Sequence, residues 1–89
     1  MNEELHPCPC CREATISEPG GYEICEICGW EDDESQHRIP GTAGGANLMS
    51  LDEARAYWNA TRTRTTWGQN SPEMHAVRLE AQRLLRDNQ

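Results

Sequence analysis

Five cysteines within residues 8–28 are the part of this 89-residue chain best suited to chemistry. Cys8 and Cys11 form one C-x-x-C pair and Cys25 and Cys28 another, with thirteen residues between the pairs. A two-residue spacer lets both thiolates of a pair reach one ion, and a hairpin returns the second pair beside the first to close a tetrahedron of four sulfurs. Soft thiolates select zinc or iron over hard cations, so Zn2+ is the expected cofactor and iron the alternative. Four thiolates leave no open position to activate water, and the ion is expected to be structural. Structural zinc contributes on the order of 10–16 kcal/mol in small metallo-domains, about the size of a domain's whole net stability.

The fifth cysteine, Cys10, is open to two readings: a reactive thiol beside the ligands and near His6, or a small side chain packed outside the knuckle. It competes poorly as a ligand, because adjacent residues 10 and 11 do not easily reach one ion together with Cys8. His6, His37 and His75 each stand alone in a polar setting and are read as surface residues, with His37 following an acidic run closely enough to pair with it. Those acids, Glu31, Asp32, Asp33 and Glu34, directly follow the second knuckle. They lack the alternating ligands and distal Glu of an EF-hand loop, which leaves a solvated loop or a patch that binds a basic protein partner. Arg62, Arg64 and Trp67 are the one basic and aromatic grouping, a weak nucleic-acid signal set against a Trp that closes the core.

The elements that must position these residues are legible in outline. Ile16, Tyr22 and Ile24 alternate with polar neighbours on either side of EPGG, which predicts a hairpin with strands ATIS and GYEIC and a Pro-Gly-Gly turn. Pro40, Gly41, Gly44 and Gly45 interrupt the stretch after the acids, so residues 31–49 read as a structured acidic and Gly-rich loop. Ser50 and Glu53 make a capping box, opening a helix whose Leu51, Ala54 and Trp58 share a face. The TRTRTT tract weakens it. Ser71 and Pro72 open a second helix with an apolar stripe at Met74, Val77, Ala81, Leu84 and Leu85. That stripe either folds back on the first helix, the preferred reading, or seals a dimer. The expected fold is small α+β, a zinc-ribbon β-hairpin with two zinc knuckles followed by two helices. One domain covers 1–89, with a ribbon core at 7–30 and a helical part at 50–87.

Composition narrows the rest. Only nineteen apolar side chains exceed Ala and Cys in size, a thin core for a chain that must hold itself together. The longest apolar stretches are two or three residues and the start lacks a secretory pattern, so a cytoplasmic location is expected. An odd number of cysteines in a reducing compartment agrees with metal ligation. Net charge is −7, but residues 1–35 carry ten acids against the single Arg12, while residues 36–89 carry seven Arg against five acids. The acidic first third disfavours nucleic acid and favours a basic protein partner. No nucleophile elbow or His-Glu metal helix organises a hydrolase.

HPCPCC, YEICEICGWEDD and PGTAGGANLMSLDEA, in that order across about residues 7–60, resemble the bacterial cysteine-rich CPCC family. The resemblance implies a small zinc-ribbon-like domain. Arg12 stands where a Gly is more usual after the first knuckle, and Gly29 where a larger residue is common; neither departure removes a ligand. The motif also draws attention to Gly44, Gly45 and Asn47. A Gly-Gly turn permits close backbone approach and an Asn amide bridges backbone groups, so this segment is expected to fasten the acidic loop to the first helix. Together these features predict a metal-stabilised protein-interaction module presenting an acidic surface, in its sharpest form an immunity or inhibitor protein for a basic toxin. The alternatives are a redox or hydrolytic enzyme using Cys10 and a nucleic-acid-binding zinc ribbon.

Overall fold

A computed structural model describes residues 4–87, in the order β1 (His6–Pro7), β2 (Ala14–Ile16), α1 (Glu34–Arg38), α2 (Leu51–Thr61) and α3 (Pro72–Asp87). Two short ladders and three helices make a zinc-ribbon-like α+β fold, with four cysteines clustered at the hairpins. Among the described residues no helix is long and apolar enough to cross a membrane.

Strand pairing differs from the expected hairpin. ATIS does supply β2, but its antiparallel partner is β1, with His6 opposite Ile16, and GYEIC pairs instead with the residues after the second knuckle through an Ile24–Glu31 bridge. Each C-x-x-C therefore sits at the tip of its own hairpin. The EPGG turn forms, with Gly21 N–H donating to the Glu18 carbonyl at 3.2 Å, yet Tyr22 at φ 62° breaks the extended run beyond it. The two arms are tied by side chains instead: the Ser17 hydroxyl and amide both donate to Glu23 Oε1, at 2.8 and 2.9 Å.

The segment expected as loop contains the short helix α1. Its N-cap is Asp33, whose carboxylate accepts from the amides of Ser35 and Gln36, and its one buried residue is Gln36. Gln36 organises everything around it. Its Nε2 donates to the carbonyls of Thr42, Asn47 and Met49, while its Oε1 accepts from the backbone and side-chain amides of Asn47. Asn47, also fully buried, bridges Glu31 in both directions, accepting from its amide at 3.0 Å and donating to its carbonyl at 2.8 Å. The expected fastening role of this segment is met. Gly45 permits it, since a Cβ there would stand 2.6 Å from Asp33 Oδ2 and 2.9 Å from Gln36 Cδ.

The helical part follows the sequence closely. Ser50 and Glu53 complete the capping box of α2, and Leu51, Ala54 and Trp58 are buried. Ser71 Oγ accepts from the Met74 amide at the start of α3. α3 folds back on α2 within the chain. Met74 and Ala81 enter the core, Val77 packs against it, and Leu79 stays 69% exposed on the outer face. Glu53, itself buried, links the helices by accepting from Arg78 Nε at 3.1 Å and Gln82 Nε2 at 3.0 Å.

Replacing Gln36 by Ala strands three buried backbone groups, those of Asn47 and Met49, and frees the part-exposed Thr42 carbonyl; a buried group is worth on the order of 1–3 kcal/mol when unsatisfied and only partly recovered by entering water. The variant is expected to lose about 3 kcal/mol in urea unfolding. A loss under about 1 kcal/mol contradicts the central place given to this amide.

Candidate metal centre

The two knuckles are built alike. In the first, Cys8 N–H donates to the Glu13 carbonyl and Arg12 N–H to the Cys8 carbonyl, both at 2.8 Å; in the second, Cys25 N–H donates to Trp30 at 2.8 Å and Gly29 N–H to Cys25 at 2.9 Å. The residue after each pair takes a left-handed conformation, Arg12 at φ 71° and Gly29 at φ 90°. This accounts for the glycine at 29 but not for Arg12. A left-handed position suits glycine, and at 29 the second knuckle is roofed so closely that a Cβ would collide with the Thr65 carbonyl. The roof is the segment 65–67: Thr65 N–H and Trp67 Nε1 both donate to the Cys28 carbonyl, at 3.1 and 2.8 Å.

The turns bring Cys8, Cys11, Cys25 and Cys28 together, all buried, with their four sulfurs within 4.8 Å of one another. The Cys8–Cys28 and Cys11–Cys25 sulfurs are 3.6 and 3.7 Å apart. Zn–S bonds of about 2.3 Å in a tetrahedron imply an edge of about 3.8 Å, whereas a disulfide requires about 2.05 Å. All five cysteines are unbridged. Donors already face the sulfurs as they would face thiolates: the Thr15 hydroxyl reaches Cys25 Sγ at 3.1 Å, the Ile27 amide the same sulfur at 3.4 Å, and the Trp30 amide Cys28 Sγ at 3.5 Å. The residues present fit a tetrathiolate cation.

Proton affinities show what a cation would supply. Hydrogen bonding to the Cys28 thiol, then burial, pushes Cys8 far above the ordinary thiol range. Burial lifts Cys11 to about 12. The neighbouring Cys10 thiol raises Cys28, with burial adding to the rise. Burial acts on Cys25 in the same direction, but the Thr15 hydroxyl and the amides of Cys28 and Ile27 outweigh it and bring that thiol to about 7. Of these four thiols, only Cys25 is shifted toward ionisation near neutral pH. A divalent ion held by Cys8, Cys11, Cys25 and Cys28 would supply the charge that lets four thiolates share so small a space, and would serve as a crosslink.

The other candidates are distributed differently. Cys10 lies outside the four-sulfur cluster and is only 2% exposed, which is the packed reading and not that of an accessible reactive thiol. His6, His37 and His75 are exposed and contribute no ligand to the cluster. The four acids do not form one surface: Asp32 and Asp33 are buried at 2% and 5% exposure, leaving Glu34 exposed and Glu31 half-buried. Unpaired backbone donors draw the two aspartates in. Asp32 Oδ2 accepts from Gly20 N–H at 2.7 Å, and Asp33 Oδ2 from Ala46 N–H at 3.0 Å. Trp67 is fully buried, so it is unable to stack on a base beside Arg62 and Arg64. Sequence reasoning missed Gln36 and Thr15. A Gln in a short polar segment and a Thr on a strand carry no spacing signal that separates them from surface residues.

A family model described as cysteine-rich CPCC matches residues 6–76. The match runs past the resemblance read from the motifs and enters the first turns of α3. No curated protein matches the chain.

Acid should release the metal, since protons compete for the thiolates: the stability it contributes is present at neutral pH and is lost as pH falls. Thr15→Val removes a bond that favours the Cys25 thiolate. It is expected to weaken metal affinity about tenfold in a competing-chelator titration and to move the release midpoint to higher pH. Cys10→Ala is expected to retain a full complement of ion. Unchanged affinity in the first variant, or lost ion in the second, contradicts these roles.

Proposed function

The chain belongs to the cysteine-rich CPCC family, and from that premise we propose that it is a zinc-stapled protein-interaction module whose metal holds a surface in shape and takes no part in a reaction. The observation that carries this reading is the closure of the site. Cys8, Cys25 and Cys28 are fully buried and Cys11 nearly so, and four sulfurs complete a tetrahedron. Zinc suits such an all-thiolate set better than the harder divalent ions do. Loaded with Zn2+, residues 1–35 pass from −9 to −11 as four thiol protons leave and two positive charges arrive.

What that module displays is the second hairpin. Tyr22 and Ile24 are each 57% exposed and Ile27 is 40% exposed. Glu26 lies between the two isoleucines in sequence, and Glu31 is the cross-strand neighbour of Ile24. Apolar side chains beside carboxylates suit a partner with an apolar contact ringed by Arg and Lys, and the surrounding field favours rapid association with such a surface. An inhibitor or immunity protein covering the basic cleft of a toxin is the sharpest form of this proposal. The buried Cys10 supports no redox enzyme and the buried Trp67 no nucleic-acid platform.

Affinity capture from the source cell, with metal content measured on the same preparation, tests the reading. The parent chain is expected to hold a basic partner in a salt-sensitive way. Ile24→Ser with Ile27→Ser, and separately Glu26→Gln with Glu31→Gln, are expected to lose that partner while retaining metal. Capture unchanged in both variants contradicts the proposal.

A further inference from the structure

The two knuckles share a geometry but not their surroundings. The second is roofed by residues 65–67, whereas the first opens on a cleft of about 380 Å³ between β1, α1 and α2. Four separate segments each bring a cationic or N–H-bearing side chain to it: His6 from β1, Arg12 from the first knuckle, His37 from α1 and Arg55 from α2. None of the acids among the described residues lines it, in a chain whose acids outnumber its Lys and Arg by fifteen to eight. Pro9 and Pro19, with fixed φ, help to wall it.

Two details favour a ligand-binding role for these cations beside any part they take in the fold. Arg12 is exposed and occupies a left-handed position at φ 71°, which Gly29 fills with glycine in the equivalent knuckle. A strained residue that makes no side-chain hydrogen bond or ion pair among the described residues points to a ligand-facing role. Arg55 is pre-oriented: its Nε donates to the Pro9 carbonyl at 2.7 Å, and among the described residues no hydrogen bond or ion pair engages its two Nη groups. A guanidinium anchored by one edge offers the remaining N–H groups as a fork for a tetrahedral oxyanion.

We propose that this cleft is a phosphate-binding site, with Arg12 and Arg55 as its anchors and His6 and His37 as further donors. A neutral imidazole still carries one N–H, so the two histidines contribute in either protonation state. The ligand class is a small dianion, free phosphate or a phosphate monoester. Cys8 lines the same cleft, so Arg12 and Arg55 could instead offset the −2 charge of a loaded tetrathiolate cluster. Charge compensation of the metal is the competing role, and the experiment separates the two.

The metal-loaded full chain is titrated calorimetrically with inorganic phosphate and with adenosine monophosphate at fixed ionic strength, beside Arg12→Gly and Arg55→Gln. Saturable one-to-one binding is expected, weakened about tenfold or more in each variant. Ion content should be unchanged, and Arg12→Gly, which relieves the backbone, should melt no lower than the parent. Equal affinity for both probes means that the phosphate group itself is held, and tighter binding of the nucleotide means that the monoester is; either supports the site. No saturable binding of either probe, binding unaltered by both substitutions, or loss of ion in place of phosphate affinity overturns it.

Discussion

Four thiols converging on one small buried volume impose the condition on which the remaining structure depends. Their sulfurs lie at the edge lengths of a tetrahedron, and burial together with mutual contact opposes ionisation of three of them. A cation would let all four ionise together in that volume. The donors around Cys25 ease the cost at one corner, which is how local backbone geometry prepares an ion site before the ion arrives. From this follows the placement of everything else: two hairpins end at the site, and Trp67 closes over the second by donating to the Cys28 carbonyl.

A second, metal-independent layer ties the ribbon to the helices. Gln36 and Asn47 replace a strand ladder with side-chain amides, joining the segment after Trp30 to the Gly-rich loop and the start of α2. Glu53 then joins α2 to α3. With so few large apolar side chains, buried amides and carboxylates supply connections that a larger core would make by packing alone. Asp32 and Asp33 belong to this layer, and their burial moves the acidic surface toward Glu26, Glu31 and Glu34.

Sequence made the local features legible and obscured the long-range ones. The clustering of Cys8, Cys11, Cys25 and Cys28 follows from spacing alone, and the capping residues Ser50 and Ser71 mark α2 and α3 because a cap is a contact between residues three apart. The strand partner of Ala14–Ile16 did not follow. Alternation identifies a strand but not its neighbour, and the left-handed turns at Arg12 and Tyr22 redirect the chain so that each knuckle closes its own hairpin. The acidic run misled because charge suggests solvent, whereas Gly20 and Ala46 offered backbone donors that only the folded chain brings near. Helix α1 is five residues long and organised by contacts to residues 42–49, so no periodicity announced it.

The most direct test of the metal-centred account follows near-ultraviolet circular dichroism of the buried Trp30 and Trp67 while a chelator withdraws the ion from anaerobically purified protein, with bound zinc counted at each step. One ion per chain and a tryptophan signal that collapses in proportion to the ion removed is the predicted result. Protein that contains no metal, or that loses all of it, and still keeps that signal and melts cooperatively would contradict the account.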